Sequence, residues 1–342
     1  MRELHIGNRR ISDDTEPYIV AEIGSNHCGD IEKAKQLIIE ARNCGVDAVK
    51  LQKRSNKELY TDEFYNAPYA NINSYGPTYG LHREALEFDA GEHRDLKQFA
   101  DGLKLAYFAT AFDFRAADDL MGIGVPAFKI ASGDIKNIPL IKHVSAYGLP
   151  MIISTGGCEM TDIYRAAEAM DHPNYAFLHC IASYPNQPHE MNLLMVQTLR
   201  REFPDTVIGL SDHYNGICMS FAAYVLGARI FEKHFTLNHT WKGTDHALSL
   251  QPEGMRRMVR DLRRIMIGMG DGVKRMLDSE RGPISKMGKG LYWSRDMAEG
   301  EIVHAADLAI KSPENGAPPY LAEKLIGMEI LSAAKKGEGV VA

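Results

Sequence analysis

The sequence predicts a TIM (β/α)8 barrel, an α/β fold, followed by a small β-rich domain. Eight short apolar runs, rich in β-branched residues, alternate with amphipathic helical patterns. This alternation fills about 250 residues, the usual length of such a barrel. After residue 279 the sequence pattern changes: glycine and proline recur every few residues, and the apolar runs shorten to pairs. We therefore expect a barrel over residues 1–279 and a second domain over residues 280–342.

The predicted strands are nearly continuous apolar runs, as expected when helices cover both faces of a parallel sheet. In chain order they are Tyr18–Ile23, Ala48–Gln52, Ala106–Thr110, Ala127–Ala131, Met151–Ser154, Ala176–His179, Val207–Leu210 and Ile230–His234. The predicted helices between them are Ile31–Cys44, Arg115–Ile123, Ile138–Tyr147, Asp162–Met170, Leu193–Phe203, Ile217–Leu226 and Gly254–Met269. A doubly wound sheet is the alternative, but the first strand is followed by GSNHCGD instead of a GxGxxG turn.

Two segments depart from the regular alternation. Residues 53–91 form a long connection rich in tyrosine and asparagine. A loop of that length within a barrel is usually functional, for example as a lid or as a wall of the substrate pocket. The tail of about 60 residues is marginal as an independent domain and would gain stability by docking on another surface.

The composition excludes several classes of protein. Apolar residues make up 45% and charged residues 25% of the chain, which argues against disorder, collagen and coiled coil. Lys+Arg total 39 and Asp+Glu 45, and the resulting net charge of −6 disfavours nucleic acid as a partner. No apolar run approaches the ~20 residues of a membrane span, so no membrane association is expected. Five scattered cysteines without CxxC spacing predict a reducing, cytoplasmic location.

Polar or ionisable residues stand at the carboxyl end of every predicted strand, which is the edge where TIM barrels build active sites. One such residue has an ordinary explanation as a hydrogen-bonded core group. Polar groups at all eight ends predict an enzyme. They include Glu22, Lys50, Gln52, Thr110, Lys129, Ser132, Asp134, Ser154, Ser211, His213 and His234, with Tyr184 shortly after the sixth strand. Asp245 follows the eighth strand in the segment KGTDHALSL and suits the binding of sugar hydroxyls.

The residue types suggest how this edge would work. Lys50 and Lys129, with nearby serine hydroxyls, supply the cations and donors that bind phosphate and carboxylate groups. Glu22 in an apolar strand is a candidate acid or base with a raised pKa. His213 and His234 lie one strand–helix unit apart. Both imidazoles can therefore meet at one divalent ion and leave its other positions open for substrate.

Simpler structural roles remain open for several residues. Either histidine alone would more often be a hydrogen-bonded structural residue, and only the matched pair favours a metal. Lys129 has the alternative of a structural ion pair with Glu22 or Asp134. Glu232 and Lys233 are interpreted as a solvated pair at the rim, without a role in the site.

These motifs resemble those of the sialic acid synthase family, the N-acetylneuraminate and related nonulosonate synthases, over nearly the whole chain. The similar segments are VAEIGSNHCGD, AVKLQ, FKIASGD, IISTGG, HCIASYP, IGLSDH, EKHFT and KGTDHALSL. The tail, MAEGEIVHAADLAIKSPENGAPP followed by LIGMEI, is similar to the antifreeze-like (SAF) domain of that family. The segments TYGLHREALEF and WKGTDHALSL look most similar to the animal-type branch, whose acceptor is implied to be a 6-phosphorylated N-acylmannosamine.

The resemblance implies a cytoplasmic transferase of sialic acid biosynthesis. It would condense phosphoenolpyruvate with an amino-sugar aldehyde, free or 6-phosphorylated, and release a nine-carbon 2-keto acid sugar and phosphate, with Mn2+ or Mg2+ as the metal. The implied phosphoenolpyruvate contacts are Lys50, Thr110, Lys129, Ser132, Ser154 and Ser211. The implied metal ligands are His213 and His234, the essential acid is Glu22, and the sugar contacts are Gln52, Asp134, Tyr184 and Asp245. A homodimer, with each SAF domain docked over the partner's barrel, is also implied.

The sequence departs from the family pattern in ways that leave the acceptor open. Ala182 stands where relatives have an asparagine that helps to hold phosphoenolpyruvate, and Asp134 replaces a glutamate of some relatives. Ser312 replaces an arginine that reaches the partner's sugar site in some bacterial members. Two other functions are kept as alternatives, one because Lys129 ends a barrel strand and one because of the SAF-like tail. One is a Schiff-base aldolase of a 2-keto acid sugar acting through Lys129, and the other is a non-catalytic sugar-binding protein.

Overall fold

The computed structural model describes residues 2–341 and contains two compact units. The first unit ends at Met269 and the second begins at Gly270, which is earlier than the boundary at residue 279 expected from the sequence. The last barrel helix ends at Gly268, and glycines with positive φ follow it directly. The division of the chain therefore follows the end of this helix, whereas the change in composition comes later.

An antiparallel hairpin of β1 (Glu3–Ile6) and β2 (Arg9–Ser12) precedes the barrel strands. Its apolar residues Leu4, Ile6 and Ile11 are buried in the hydrophobic core of the first unit. This hairpin is not predicted from the sequence, because each strand has only four residues and so few apolar positions show no clear period.

The first unit is a closed barrel of eight parallel strands, which confirms the predicted fold. The strands follow chain order around the barrel, and the last strand pairs with the first. They are β3 (Tyr18–Gly24), β4 (Ala48–Lys53), β5 (Ala106–Ala111), β6 (Phe128–Ile130), β7 (Met151–Ser154), β8 (Tyr175–Cys180), β9 (Val207–Asp212) and β10 (Ile230–His234). Each of these strands contains one of the predicted apolar runs or most of it.

Close packing fixes the barrel strands against one another. Every residue of β3 and β9 is buried, as expected for strands covered on both faces. Gly209 of β9 allows the neighbouring strands to approach closely. A Cβ at this position would collide with the carbonyl oxygen of Ile230 on β10 and with the side chain of Leu178 on β8.

Helices surround the barrel and begin and end where the local sequence dictates. In α1 (Ile31–Cys44), the Asp30 side chain accepts hydrogen bonds from the backbone amides of Glu32 and Lys33, and Gly45 ends the helix with φ at 85°. The other helices of this unit are α2 (Asn56–Leu59), α3 (Asp62–Asn66), α4 (Tyr79–Glu84), α5 (Ala90–Gly102), α6 (Phe114–Ile123), α7 (Ile138–Ser145), α8 (Met160–Glu168), α9 (Met195–Glu202), α10 (Cys218–Val225) and α11 (Pro252–Gly268).

The long connection after β4 is folded, with the short helices α2, α3 and α4 along it. Its aromatic rings contact one another. The ring centroid of Tyr79 lies 4.5 Å from that of Phe64, 5.2 Å from that of Tyr60 and 5.4 Å from that of Tyr69. We call these four residues the aromatic wall. Their mutual packing gives α4 a fixed position despite its short length.

The second unit is small and partly sheet. It contains α12 (Asp278–Met287), an antiparallel pair of β11 (Gly290–Trp293) and β12 (Leu308–Lys311), and α13 (Ala322–Leu325). Its core consists of Leu291, Trp293, Met297, Val303, Ala317 and Val340. Its assignment as an SAF domain and the docked homodimer remain predictions from the resemblance. In neither unit does the described part of the chain contain a helix long and apolar enough to cross a membrane.

Candidate active site

A cavity of about 500 Å³ lies at the carboxyl ends of the barrel strands. The predicted site residues that line it are Glu22, Lys50, Gln52, Thr110, Lys129, Ser132, Ser154, Tyr184, Ser211, His213, His234 and Asp245. Asp134 is not among the lining residues. It ends a short 3-10 turn that begins at Ser132, and its carboxylate accepts a hydrogen bond of 3.3 Å from the side chain of Asn137. The fold therefore gathers every predicted site residue except Asp134.

Lys50 lies at the base of the cavity between two carboxylates. Its Nζ is 2.6 Å from Oε2 of Glu22 and 3.7 Å from Oε1 of Glu232, and it donates to Oγ1 of Thr110 at 2.9 Å. Strand register explains this grouping. Glu22 pairs with Lys50 across β3 and β4, and Gln52 pairs with Thr110 across β4 and β5. All three partners of Lys50 are buried, so its ammonium group is held in place before any ligand arrives.

The two carboxylates differ in their tendency to ionise. Burial raises the pKa of Glu22 to about 7, although the charge of Lys50 acts in the opposite direction. Burial acts on Glu232 as well, but the charges of Lys129 and Lys50 outweigh it and lower the pKa of Glu232. Near neutral pH, Glu22 can therefore exchange a proton while Glu232 stays ionised. Two carboxyl groups with separated pKa values are typical of acid–base sites.

The interpretation of Glu232 and Lys233 as a solvated pair at the rim is wrong. Their exposed fractions are only 6% and 1%. Successive residues of a strand face opposite sides, so Glu232 shares the inward face of β10 with His234. Glu232 accepts a hydrogen bond of 3.1 Å from Ser211, whereas Lys233 pairs with Asp212 at 2.9 Å. Glu232 is thus a candidate functional residue that the sequence analysis missed, although the period-two pattern would have indicated it.

Lys129 is buried in the cavity and bound through hydrogen bonds. Its Nζ donates to Oγ of Ser154 at 2.6 Å and to the carbonyl oxygen of Ile130 at 2.9 Å. Within the described residues no carboxylate lies within 4 Å of it, so the ion pair with Glu22 or Asp134 that the sequence left open is not formed. Burial lowers the pKa of Lys129. The side chain is therefore a buried cation whose strongest anionic partner would be a ligand.

The first glycine of the IISTGG motif brings the backbone close to the cavity wall. The backbone amide of Gly156 donates to Oγ of Ser132 at 3.0 Å. A Cβ at Gly156 would lie 2.8 Å from that oxygen and 3.0 Å from the Cβ of Ala182. Glycine is needed here because the turn and Ser132 occupy the space that a side chain would require.

Two imidazoles and a phenol ring pack together at another side of the cavity. The ring centroids of His213 and His234 are 5.4 Å apart, and the ring of Tyr184 lies 4.1 Å from that of His213. Nδ1 of His213 is 2.8 Å from the carbonyl oxygen of Ile181. Because a carbonyl can only accept, this Nδ1 carries the proton and Nε2 keeps its lone pair. Asp245 lies 3.9 Å from Nδ1 of His234, beyond hydrogen-bond distance.

The histidine pair fits a divalent cation. Burial lowers the pKa of His213 to about 4 and also lowers that of His234, so both rings are neutral near pH 7, as metal binding requires. Nδ1 of His234 is buried and has no hydrogen-bond partner among residues 2–341. Across that same range, no group of three or more His, Cys, Asp or Glu residues is arranged to hold an ion. Two imidazoles would therefore leave the remaining positions to oxygens of substrate or water.

Two arginines that were not predicted from the sequence, Arg54 and Arg83, also line the cavity. Arg54 comes directly after β4, so the strand-end reasoning that selected Lys50 and Gln52 would have found it. Arg83 lies on α4 in the long connection. That segment lacks the strand–helix alternation of the barrel, so its sequence does not show that the side chain of Arg83 faces the cavity.

Comparisons with known proteins identify the family to which this sequence is similar. Residues 37–274 match the NeuB family. The chain is 35% identical over 328 residues to the N-acetylneuraminate-9-phosphate synthase of Homo sapiens, covering 95% of this chain and 91% of that protein. It is also 35% identical over 315 residues to the N,N'-diacetyllegionaminic acid synthase of Campylobacter jejuni, covering 90% and 94%.

A solved structure gives the same result for the fold. The N-acetylneuraminic acid (sialic acid) synthetase of Leptospira borgpetersenii, crystallised in complex with citrate, superimposes with a TM-score of 0.72 at 31% sequence identity. The match covers 83% of this chain and 95% of that one.

Proposed function

This chain belongs to the NeuB family, and we propose that it condenses phosphoenolpyruvate with an N-acylmannosamine-type sugar, free or 6-phosphorylated. The products would be a nine-carbon 2-keto acid sugar and inorganic phosphate. The observation that carries the proposal is the convergence of Lys50 and Lys129 with His213 and His234 around one cavity that also contains two buried carboxylates. Relatives named as synthases of N-acetylneuraminate 9-phosphate and of diacetyllegionaminic acid support it.

The lysine side of the cavity suits phosphoenolpyruvate, which carries a phosphate and a carboxylate on three carbons. Lys129 with Ser154, and Lys50 with Thr110, present ammonium and hydroxyl donors that already contact each other. Charge-assisted hydrogen bonds from these groups would hold both anionic ends of the substrate. Because the donors are fixed before binding, they would orient the enol carbon without further rearrangement.

The opposite side of the cavity suits the open-chain sugar. Mn2+ or Mg2+ held by His213 and His234 would supply a Lewis acid for the aldehyde oxygen. Tyr184 and Asp245, which line the cavity beside these histidines, would contact sugar hydroxyls. Gln52 would do the same, and its Nε2 is oriented by a hydrogen bond of 3.1 Å to Glu22.

The proposed carbon–carbon bond forms between C3 of phosphoenolpyruvate and C1 of the sugar, and the aldehyde oxygen takes up a proton. Positive charge then develops at C2, where the carboxylates of Glu22 and Glu232 stabilise it. Water adds to C2 and loses one proton. The tetrahedral intermediate then expels phosphate by cleavage of the bond between C2 and the bridging oxygen, and the C2 hydroxyl proton passes to the leaving phosphate as the keto group forms. A carboxyl group whose pKa is about 7, such as Glu22, can release one proton and take up the other.

The test measures phosphate release from phosphoenolpyruvate with Mn2+ and a panel of N-acylmannosamines, each with and without a 6-phosphate. We expect release with at least one sugar and none without sugar. His213→Ala should lower the rate by about 100-fold or more, because it removes a proposed metal ligand. The matched control is His143→Ala on α7, a histidine that bonds Asp118 at 2.8 Å outside the cavity, and its rate should not change. If no sugar gives release above the His213→Ala level, the proposal is wrong.

One observation favours a second candidate, a Schiff-base lyase that acts through Lys129. Burial lowers the pKa of this lysine, as in lysines that form imines. Such an enzyme would need no metal, and borohydride would trap a keto acid covalently on Lys129. We expect no trapping, because Nζ is occupied by its contacts to Ser154 and Ile130. Covalent labelling of Lys129 in the presence of a chelator would favour the lyase.

A further inference from the structure

Two guanidinium groups line the cavity without an anionic partner. Arg54 is only 7% exposed; it donates to Oε1 of Gln52 at 2.7 Å and stacks 3.8 Å from the ring centroid of Phe112. Arg83 donates from Nε to the hydroxyl of Tyr79 at 3.2 Å. Throughout the described chain, neither arginine has an Asp or Glu oxygen within 4 Å of its guanidinium nitrogens. Each is therefore held by neutral groups while its charge remains unpaired.

Two carboxylates whose charges act on this pair do not neutralise it. Glu87 accepts from Nζ of Lys53 at 3.2 Å and from the backbone amide of Arg54 at 2.9 Å, so it is engaged with other donors. Asp245 lines the same cavity and its charge acts on Arg83, but the two form no ion pair. The charge of the two arginines thus exceeds what the surrounding side chains offset.

This excess of positive charge affects how the neighbours ionise. Burial, together with the charge of Arg83, lowers the pKa of Arg54. Burial alone would raise the pKa of Tyr79, but the charge and hydrogen bond of Arg83 outweigh it and lower that pKa. A buried cation such as Arg54, with a second, partly buried cation acting on it, is costly unless a counter-ion joins them. The arrangement is that of a site prepared for an anion.

Arg54 lies nearer the mouth of the barrel than Lys50, which lies at the base of the cavity. Strands rise ~3.3 Å per residue, so Lys53, the last residue of β4, lies about 10 Å beyond Lys50, and Arg54 follows it. Arg83 comes from α4, which also carries Tyr79 of the aromatic wall. A substrate whose reacting carbon meets phosphoenolpyruvate near Lys50 would extend its other end toward Arg54 and Arg83.

We infer that Arg54 and Arg83 form a subsite for a phosphate ester at the end of the acceptor sugar remote from its aldehyde. The inference rests on the proposed condensation and narrows its acceptor to the phosphorylated sugar. Guanidinium groups offer paired donors that match phosphate oxygens. Phe112 and Tyr79 would keep the two guanidinium groups oriented. Because both arginines would bind the phosphate end of the sugar, they would determine which acceptor is used without contacting the reacting carbons.

The experiment compares kcat/KM for N-acetylmannosamine 6-phosphate and for free N-acetylmannosamine at saturating phosphoenolpyruvate. The wild-type protein should prefer the phosphorylated sugar by about 100-fold or more. Arg83→Gln should reduce this preference by roughly 10- to 100-fold, the loss expected for a charge-assisted contact. Arg83→Lys should give an intermediate preference, since lysine keeps the charge but not the paired donors. The control is Arg115→Gln, an exposed arginine paired with Glu58 at 3.0 Å, which should keep the wild-type preference.

The possible outcomes separate this inference from the proposal on which it rests. If wild-type protein uses the free sugar as efficiently as the phosphorylated one, the subsite is refuted and the condensation stands. Equal losses for both sugars in Arg83→Gln, in a variant whose thermal unfolding is unchanged, would also overturn the subsite. If neither sugar supports phosphate release, the condensation itself fails, and the inference fails with it.

Discussion

The substitution Glu22→Gln separates proton handling from structural support at the base of the cavity. Glutamine is close to glutamate in size, but its single amide oxygen can accept from either Lys50 or Gln52, and the other donor then faces the amide NH2 group. What disappears is the ionisable carboxyl group, and with it the negative charge of its ionised form 2.6 Å from Nζ of Lys50. The variant therefore changes ionisation while the shape of the site is nearly kept.

The cost in stability can be worked from the two distances at Lys50. With an effective dielectric constant of about 20, a pair at 2.6 Å is worth roughly 6 kcal/mol of Coulomb attraction. Desolvation of both groups cancels most of that. Glu232 at 3.7 Å still supplies roughly 4 kcal/mol of attraction on the same scale. Lys50 thus keeps one anionic partner in the variant. We therefore expect the free energy of unfolding to fall by about 1–2 kcal/mol, less than the ~3–5 kcal/mol lost when a buried charge has no partner.

The effect on catalysis should be much larger than the effect on stability. Loss of an acid–base group lowers rates by about 100- to 10,000-fold. The assays are phosphate release at saturating substrates and urea unfolding followed by circular dichroism, with Glu232→Gln and the double variant for comparison. If Glu22→Gln keeps more than about a tenth of the wild-type rate, Glu22 does not handle protons. A loss of stability above ~4 kcal/mol would show that Glu232 does not compensate for the missing charge.

Three other properties of the chain can be checked with standard assays. Treatment with EDTA should abolish phosphate release and added Mn2+ should restore it, with an unchanged far-ultraviolet circular dichroism spectrum; activity that survives chelation would argue against the metal. Burial lowers the pKa values of His27 and His93 to about 3 each, so their neutral forms stabilise the fold fully above pH 6.5 and this contribution is lost as the pH falls toward 3. At pH 5 the loss in the free energy of unfolding should be about 2 kcal/mol per imidazole. Urea unfolding measured between pH 7 and 5 should show that His93→Gln takes up about one proton fewer on unfolding than the wild type does. An unchanged slope of the free energy of unfolding against pH would contradict this. Gly209→Ala should destabilise the barrel by about 3 kcal/mol because its Cβ would collide with the carbonyl of Ile230, whereas Gly122→Ala on α6 meets open space and should change stability by less than ~1 kcal/mol; equal effects in thermal unfolding would contradict the packing argument.

Much of the site follows from the sequence because the barrel imposes a simple rule. Once eight strands are identified, their carboxyl ends must meet at one edge. This rule brings Lys50, Thr110 and Lys129 into one cavity with His213 and His234. The same rule with the period of two would also have selected residue 232, which shares a strand face with His234. Its adjacency to a lysine in the sequence suggested a surface ion pair instead.

Other features depend on tertiary contacts that no local pattern reports. Arg83 lines the cavity from α4, which Tyr79 joins to the other three residues of the aromatic wall, in a connection that contains no barrel strand. Asp134 has the right place in the sequence, but its carboxylate bonds Asn137 and is not part of the lining. Lys129 was open to an ion pair and instead bonds the hydroxyl of Ser154. In each case, which group a side chain contacts depends on differences of a few ångströms in the folded structure, and no local sequence pattern reports them.

The most direct test of the proposed condensation is the fate of the bridging oxygen of phosphoenolpyruvate. The substrate is labelled with oxygen-18 between C2 and phosphorus and incubated with Mn2+, the acceptor sugar and the protein, and both products are analysed by mass spectrometry. We expect the label in inorganic phosphate and a sugar product that contains all carbons of both substrates. Label retained on the keto acid, or pyruvate released without a gain of three carbons by the sugar, would contradict it.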